Sequence, residues 1–240
     1  PTVSGISTGG QSNKQGEIVG GTDMLLDWIG YPLKSTIANH FHLPTTVLND
    51  GHAATLAESK YGAGQGYQSL LCVVIGTGLG GGLAFDGRIQ HGANGLAGSI
   101  GQIKISLDGE TYMPLESLVS GPALATLYNE HVSAPHNVTE GREVAERAGK
   151  GDSIAIDVIT KVGKWLGLGL SHALHTLDAD CVVVAGSVAQ IGALLFDSIR
   201  QSLVQKGHST ISQTPIIPAK FSSDAGLVGA AVYALSKSYS

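Results

Sequence analysis

The stretch Leu70-Leu71-Cys72-Val73-Val74-Ile75-Gly76-Thr77-Gly78-Leu79-Gly80-Gly81-Gly82-Leu83-Ala84-Phe85-Asp86-Gly87 decides the fold class. Leu70 to Ile75 is wholly apolar and rich in branched side chains, so it reads as a buried strand. Glycines follow at once, then a short strand over Leu83–Phe85 and a tight turn at Asp86-Gly87 into Arg88–Gln90. Gly76, Gly78 and Gly81 satisfy the spacing G-x-G-x-x-G, which in dinucleotide-binding folds opens a helix whose N-terminus meets the pyrophosphate. Between Gly82 and Asp86 there is no room for that helix, so the dinucleotide reading is rejected. A strand, a glycine turn and a second strand can instead wrap phosphates with backbone N–H groups, and Thr77 adds a hydroxyl to the same cradle. The plain alternative is a glycine-rich hairpin that holds nothing.

Working outward, strands and helices alternate. Upstream lie strands over Thr2–Ile6 and Gly16–Val19, then Met24–Gly30 holding Trp28, and a helix opened by Pro32 through Leu33, Ile37 and His40. Thr45–Leu48 is a strand ending at Asn49-Asp50, where a helix runs through Ala53, Ala54, Leu56 and Ala57 to about Tyr61. Downstream come helices over Leu115–His131 and Glu140–Ala148. A long helix capped by Asp152 carries Ile156, Ile159, Val162 and Leu166 at helical spacing. A buried strand Cys181–Ala185 closes at Gly186, Gln190–Gln205 is amphipathic, Ile216–Ala219 is a strand, and Asp224 caps a last helix to about Ser236. The class is α/β.

Composition narrows the function classes. Of 240 residues, 42% are apolar and 14% charged, with a net charge of −5, which describes a globular chain. No basic run is present, so nucleic acid is not expected as a partner. No apolar run reaches the roughly 18 residues of a membrane span, and Pro1–Gly10 is polar and glycine-rich, unlike a signal peptide. Cys72 and Cys181, each within an apolar run, read as buried reduced thiols. A cytoplasmic protein is expected. His40 and His42, and His172 and His175, are pairs without a third ligand nearby, so no metal site is assigned.

Two further places suggest a site. Asn49-Asp50 puts an amide and a carboxylate at the carboxyl end of a strand, where α/β ligands bind. The carboxylate could take a proton from a hydroxyl attacking a phosphoryl group while the amide holds its neighbour. Either residue would also serve as an ordinary N-cap, and the two roles are compatible. Asp180–Ser187, a buried strand ending in Gly186, could let a flat ring lie against backbone, although by itself it reads as a strand with a turn glycine.

In this order, these pieces resemble the ROK family (repressor, open reading frame, kinase) of sugar kinases and regulators. The matching stretches are Leu43-Pro44 through Asn49-Asp50-Gly51-His52-Ala53-Ala54 to Glu58, Gly76–Gly82, Asp86-Gly87, His91-Gly92 to Ala97-Gly98, Glu116 to Gly121, and Asp224–Ala231. The resemblance spans nearly the whole chain. It implies an actin-like (ribonuclease H-like) fold of two lobes, with residues 1–48 and 224–240 in a partial first lobe and 49–223 in the second. It implies transfer of phosphate from MgATP to a hexose or N-acetylhexosamine, with sugar and nucleotide as partners. Asp50 would be the catalytic base, Asn49 and Glu116 would hold sugar hydroxyls, Gly76, Thr77, Gly78 and Gly80 would bind the ATP phosphates, and Gly186 would lie near adenine.

Three departures weigh against full activity. No D-x-G-G-T-like phosphate turn opens the chain, and Gly20-Gly21-Thr22 lacks the acidic residue before it. The family's sugar-contacting A-G-E-I-G-H reads Ala97-Gly98-Ser99-Ile100-Gly101-Gln102, placing Ser99 and Gln102 at substrate-binding positions. Asp108–Pro114 stands where the family usually has zinc-binding cysteines, so no structural zinc is expected. The kinase reading is preferred; a non-catalytic sugar-binding or regulatory relative and a fragment of a longer kinase are the alternatives. An open strand edge in the first lobe would favour a homo-oligomer through strand addition.

Overall fold

The computed structural model of the chain describes residues 1–13, 15–21 and 27–238. Thr22 and the Met24–Leu26 part of the stretch holding Trp28 lie outside those residues. The chain divides into two compact units: residues 1–72, 81–98 and 219–240 form the first, and 73–80 and 99–218 the second.

In the first unit, strand β1 (Ser4–Thr8) pairs in parallel with β4 (Thr45–Asn49), Thr8 opposite Asn49, so both strands deliver their polar ends to one edge. Between them lie an antiparallel pair, β2 (Gln11–Ser12) and β3 (Ile18–Gly20), and helix α1 (Leu33–Phe41). A strand is expected over Gly16–Val19; its antiparallel partner β2 and the turn between them are additional. The signal is Asn13, whose Oδ1 accepts from the N–H groups of Gln15 and Glu17, with Gly16 at φ +77° completing the turn.

Helix α2 (Asp50–Tyr61) is buried from Gly51 to Glu58, so its small residues mark a core helix and leave no polar stripe. It packs on the final helix α8 (Ala225–Ser238), with Leu48, Ala53 and Leu56 meeting Val232 and Tyr233. The approach is close enough that a Cβ on Gly229 would stand 1.8 Å from the Ala53 carbonyl oxygen, and one on Gly5 would stand 2.3 Å from that of Ala230.

Glu58 is fully buried and yet well matched. Its Oε2 accepts from the Ala63 and Lys220 N–H groups at 2.8 and 3.1 Å, and its Oε1 from Phe221 at 2.8 Å. The carboxylate thereby ties the end of α2 to the entry of α8, a use the sequence did not signal. Glu58→Leu strands those donors, and urea unfolding should show a loss of about 3 kcal/mol.

Strands β5 (Ser69–Ile75) and β6 (Leu79–Phe85) pass through both units, and β7 (Arg88–Gln90) closes the expected Asp-Gly hairpin with β6. With β10 (Cys181–Ala185) and β11 (Ile216–Pro218) they give the order β11-β10-β5-β6-β7. Strand β6 begins four residues before the expected Leu83, inside the glycines. Packing explains it: a Cβ on Gly81 would lie 2.5 Å from the Cys72 carbonyl oxygen, and one on Gly82 2.5 Å from the Thr55 hydroxyl. These glycines are strand residues pressed against neighbouring backbone.

The second unit holds a small hairpin, β8 (Lys104–Ser106) with β9 (Tyr112–Pro114), then α3 (Leu115–Leu118), α4 (Gly121–Asn129), α5 (Gly141–Gly149), α6 (Ser153–Leu177) and α7 (Ala193–Lys206). The Asp108–Pro114 segment is the tip and return strand of that hairpin. Asp108 Oδ1 accepts from the Glu110 and Thr111 N–H groups, which hold its carboxyl far below the usual range. The helix expected over Leu115–His131 is two helices. Pro122 cannot continue a helix but is tolerated in a first turn, so the chain breaks at Val119-Ser120 and restarts with Ser120 as N-cap. Likewise α7 starts at Ala193, after a single turn over Val188–Ile191 and Gly192 at φ +78°. Helices α6 and α7 close through Gly163 and Gly167, whose added Cβ atoms would fall 2.6 Å from Ser198 and Ile199. Asp152 caps α6 as expected and also accepts from the Tyr128 hydroxyl. Cys72 and Cys181 are buried thiols with no disulfide between them, and burial pushes the Cys181 thiol up to about 12.

Candidate active site

In the first unit the site begins at the shared end of β1 and β4. Asn49 is the N-cap of α2: its Oδ1 accepts from the Gly51 and His52 N–H groups at 3.0 and 3.3 Å, and its Nδ2 donates to the Gly10 carbonyl at 3.0 Å. Both acceptor lone pairs and one amide hydrogen are thus committed, and one N–H remains. Asp50, next in the chain, accepts from the Gly51 N–H through Oδ1 at 2.8 Å, leaving Oδ2 as its second acceptor. Burial pushes the Asp50 carboxyl above its ordinary 3.8, against the pull of the Gly51 N–H and, more weakly, of Asn49 and His52.

Gly51 is required here, since a Cβ would come within 2.8 Å of the Gly81 backbone. His52 reaches across and bonds its Nε2 to the Ala97 carbonyl at 3.0 Å, fastening the loop His91–Gly98 to the start of α2. Gly98, at φ +83°, lies flat on Gly82, with a Cβ position only 2.5 Å from its Cα. The sequence reading did not foresee Gly10 or His52 as partners of this end of α2. Nothing local marks the Gly10 carbonyl, and His52 is indistinguishable from any helical histidine until the loop returns over it.

Burial lowers the His52 imidazole below its ordinary 6.5, outweighing the Ala97 bond and Asp50; burial and His52 do the same to His91. A depressed histidine contributes stability in full above 6.5, and this is lost as the pH falls through the folded value, because the unfolded chain takes up the proton first. Chemical unfolding of His52→Gln should therefore show a weaker loss of stability than wild type as the pH falls below about 6.5.

In the second unit the hairpin turn is Gly76-Thr77-Gly78. The Gly76 N–H donates to the Gly78 carbonyl at 2.9 Å, and the Gly76 carbonyl accepts from Gly121 N–H, the first residue of α4, at 2.8 Å. Glu116 Oε2 accepts from the Leu79 N–H at 2.8 Å, and a Cβ on Gly78 would sit 2.5 Å from that oxygen. The turn is therefore braced from beneath by Glu116 and α4. Above it, added Cβ atoms on Gly76 and Gly80 would meet nothing within 4 Å, and Thr77 is exposed. The turn backbone is open to a ligand, and Thr77 and Gly78 offer N–H groups with no backbone partner among the described residues. Gly186, at φ +93°, presses on the end of β5, its Cβ position 2.2 Å from the Ile75 carbonyl oxygen.

Ser99 precedes the single turn Ile100–Gln102 and Gln102 ends it; Gly101 packs on the Leu79 carbonyl, and Gln102 is exposed. The second unit thus gathers Gly76, Thr77, Gly78, Gly80, Glu116 and Gly186 around one hairpin, and the first holds Asn49 and Asp50 at one helix start. The N-terminus of α4 under the turn was missed because Leu115–His131 was read as one helix. Its signal was Ser120-Gly121-Pro122. Among the described residues, no group of three His, Cys, Asp or Glu side chains could hold a metal ion, and no helix is long and apolar enough to cross a membrane.

An α/β chain in two units, with a glycine hairpin on one and a strand-end carboxyl on the other, has the actin-like ATPase fold. The sequence matches the ROK family over residues 2–237, and the chain belongs to that family. A glucokinase of Streptomyces coelicolor is 30% identical over 249 aligned residues, covering 95% of this chain and 78% of that protein. An N-acetylmannosamine kinase of Haemophilus influenzae is 29% identical over 211, covering 85% of this chain and 67% of that one. Among solved structures, the ROK family glucokinase of Streptomyces griseus in complex with glucose and AMPPNP superposes with a TM-score of 0.86 and 29% identity. That match covers 98% of this chain and 81% of the glucokinase.

Proposed function

We propose that the chain transfers a phosphoryl group from MgATP to a hydroxyl of a hexose or N-acetylhexosamine. The observation that carries this reading is Asp50. It is a carboxyl at a capped helix start, taking the Gly51 N–H on Oδ1, with an affinity for protons raised by burial, as a general base needs. The remaining N–H of Asn49 is suited to the oxygen of an adjacent sugar hydroxyl, which would orient the attacking group.

The open turn fits a nucleotide's phosphates on its own chemistry, since Gly76 and Gly80 face open space and leave the turn backbone uncovered by side chains. The Thr77 and Gly78 N–H groups and the Thr77 hydroxyl would hold phosphate oxygens there. When bound, MgATP supplies the phosphoryl group and the metal's charge. Glu116 serves twice in this scheme: Oε2 braces the hairpin, and its other oxygen is left for a sugar hydroxyl. Ser99 and Gln102 offer a hydroxyl and an amide as further sugar contacts, and Gly186 offers a bare backbone surface to adenine.

Relatives that are a glucokinase and an N-acetylmannosamine kinase support this substrate range. A coupled assay for ADP release across hexoses and N-acetylhexosamines tests it. Sugar-dependent ADP release from one class is the expected result, and no release with any sugar, despite bound nucleotide, overturns it.

A further inference from the structure

The first unit contains a cavity of about 720 Å³ that adjoins the proposed transfer site at Asn49 and His52 and extends away from Asp50. It runs along Thr46–Asn49 of β4 and is walled by the β2–β3 turn, α1, the loop His91–Gly95 and the last turns of α8. The volume suits a small metabolite. Its charge is one-sided: Lys34 and Lys237 both line it, and no Asp or Glu does so among the described residues.

Both lysines are placed by their surroundings. The stem of Lys34 lies against Gly16, whose φ is +77° and whose added Cβ would be 2.3 Å from that of Lys34, and its N–H donates to the Gly16 carbonyl. Lys237 holds its ammonium 5.5 Å from the centre of the Tyr233 ring. Neither ammonium has a carboxylate partner among the described residues. The Tyr233 hydroxyl meets His91 Nε2 at 3.3 Å, and Ser12 and Gln15 add uncharged polar groups to the wall. Two lysines with no carboxylate partner among the described residues, lining a half-open volume beside uncharged polar groups, suit an anion that carries hydroxyl groups.

We infer that this cavity binds a phosphorylated polyol, with Lys34 and Lys237 on the phosphate and the Ser12 and Gln15 side on the hydroxyl-bearing body. The inference rests on the two lysines and not on Asp50 or the glycine hairpin; Asn49 is the one residue it shares with the proposed transfer, and the lysine variants separate the two.

Calorimetric titration of the full chain tests it, with sorbitol 6-phosphate as probe beside inorganic phosphate and sorbitol. An open-chain hexitol phosphate separates this cavity from any site shaped for a sugar ring. Sorbitol 6-phosphate should bind saturably, inorganic phosphate more weakly and sorbitol not measurably. Lys34→Met and Lys237→Met should each weaken binding about tenfold, while Lys164→Met, an exposed lysine of the second unit, leaves it unchanged. Thermal melting confirms that each variant is folded. The inference is overturned if sorbitol 6-phosphate does not bind at millimolar concentration, if the double lysine variant binds it undiminished, or if inorganic phosphate binds as tightly.

Discussion

Asp50→Asn should lower kcat for sugar-dependent ADP release by about 10²–10⁴-fold while leaving nucleotide affinity unchanged. The substitution keeps the shape of the side chain and can still accept from the Gly51 N–H, so the start of α2 is preserved. What it removes is the carboxylate able to take a proton. A fall in kcat with little change in the sugar's KM is the signature of a lost base; a rise in KM alone would make Asp50 a binding residue.

The same variant has a second readout with a defined sign. Burial raises the Asp50 carboxyl in the folded chain, so the stability it allows is complete below 3.8, where folded and unfolded forms are both protonated. As the pH rises through the folded value, the unfolded chain releases its proton more readily and the native state loses ground. Asp50→Asn should thus be more stable than wild type at about pH 7 and indistinguishable from it at about pH 3. A group that is both costly to bury and placed at a site is what a functional carboxyl looks like energetically.

Gly229→Val should cost about 3–5 kcal/mol, a large share of the 5–15 kcal/mol typical of a whole domain. The reason is local. Helices α8 and α2 meet where any Cβ on Gly229 would stand 1.8 Å from the carbonyl oxygen of the fully buried Ala53. That oxygen belongs to helix backbone, so relief requires the helices to separate along Leu48, Leu56, Val232 and Tyr233. Because α2 carries Asp50 at its first position, such a shift should also disturb the site. Urea unfolding gives the energy, and Gly149→Ala is the control: nothing lies within 4 Å of the added Cβ, and its effect should be within about 1 kcal/mol of zero. A Gly229→Val variant as stable as the control would mean that the two helices do not pack as described.

The α/β class, the rejection of a dinucleotide fold and a helix cap at Asn49-Asp50 were legible from residues 45–58 and 70–90, because they rest on short-range rules; the structure gives the cap to Asn49. An apolar branched run makes a strand, Asp-Gly makes a tight turn, and a strand ending in Asn-Asp starts a helix. The glycines were legible as a feature but not as separate parts. Gly76 and Gly80 face open space, Gly78 makes way for Glu116, and Gly81 and Gly82 are packed against Cys72, Gly98 and Thr55. Which glycine does which depends on what stands opposite it, and that is not written in its neighbours along the chain.

The same holds for Glu58, His52 and the start of α4. Glu58 meets donors 162 and 163 residues away, His52 meets a carbonyl 45 residues on, and Gly121 reaches back to Gly76. Sequence by itself determined the alternation of the main strands and helices and the residues able to do chemistry, since propensity and patterning act over a few residues. Only the tertiary structure decided which backbone groups those residues occupy, which atoms remain free for a ligand, and that two lysines about 200 residues apart face one cavity. Hydrogen bonds and close packing are satisfied by whatever the fold brings near, and the fold brings near what the chain keeps apart.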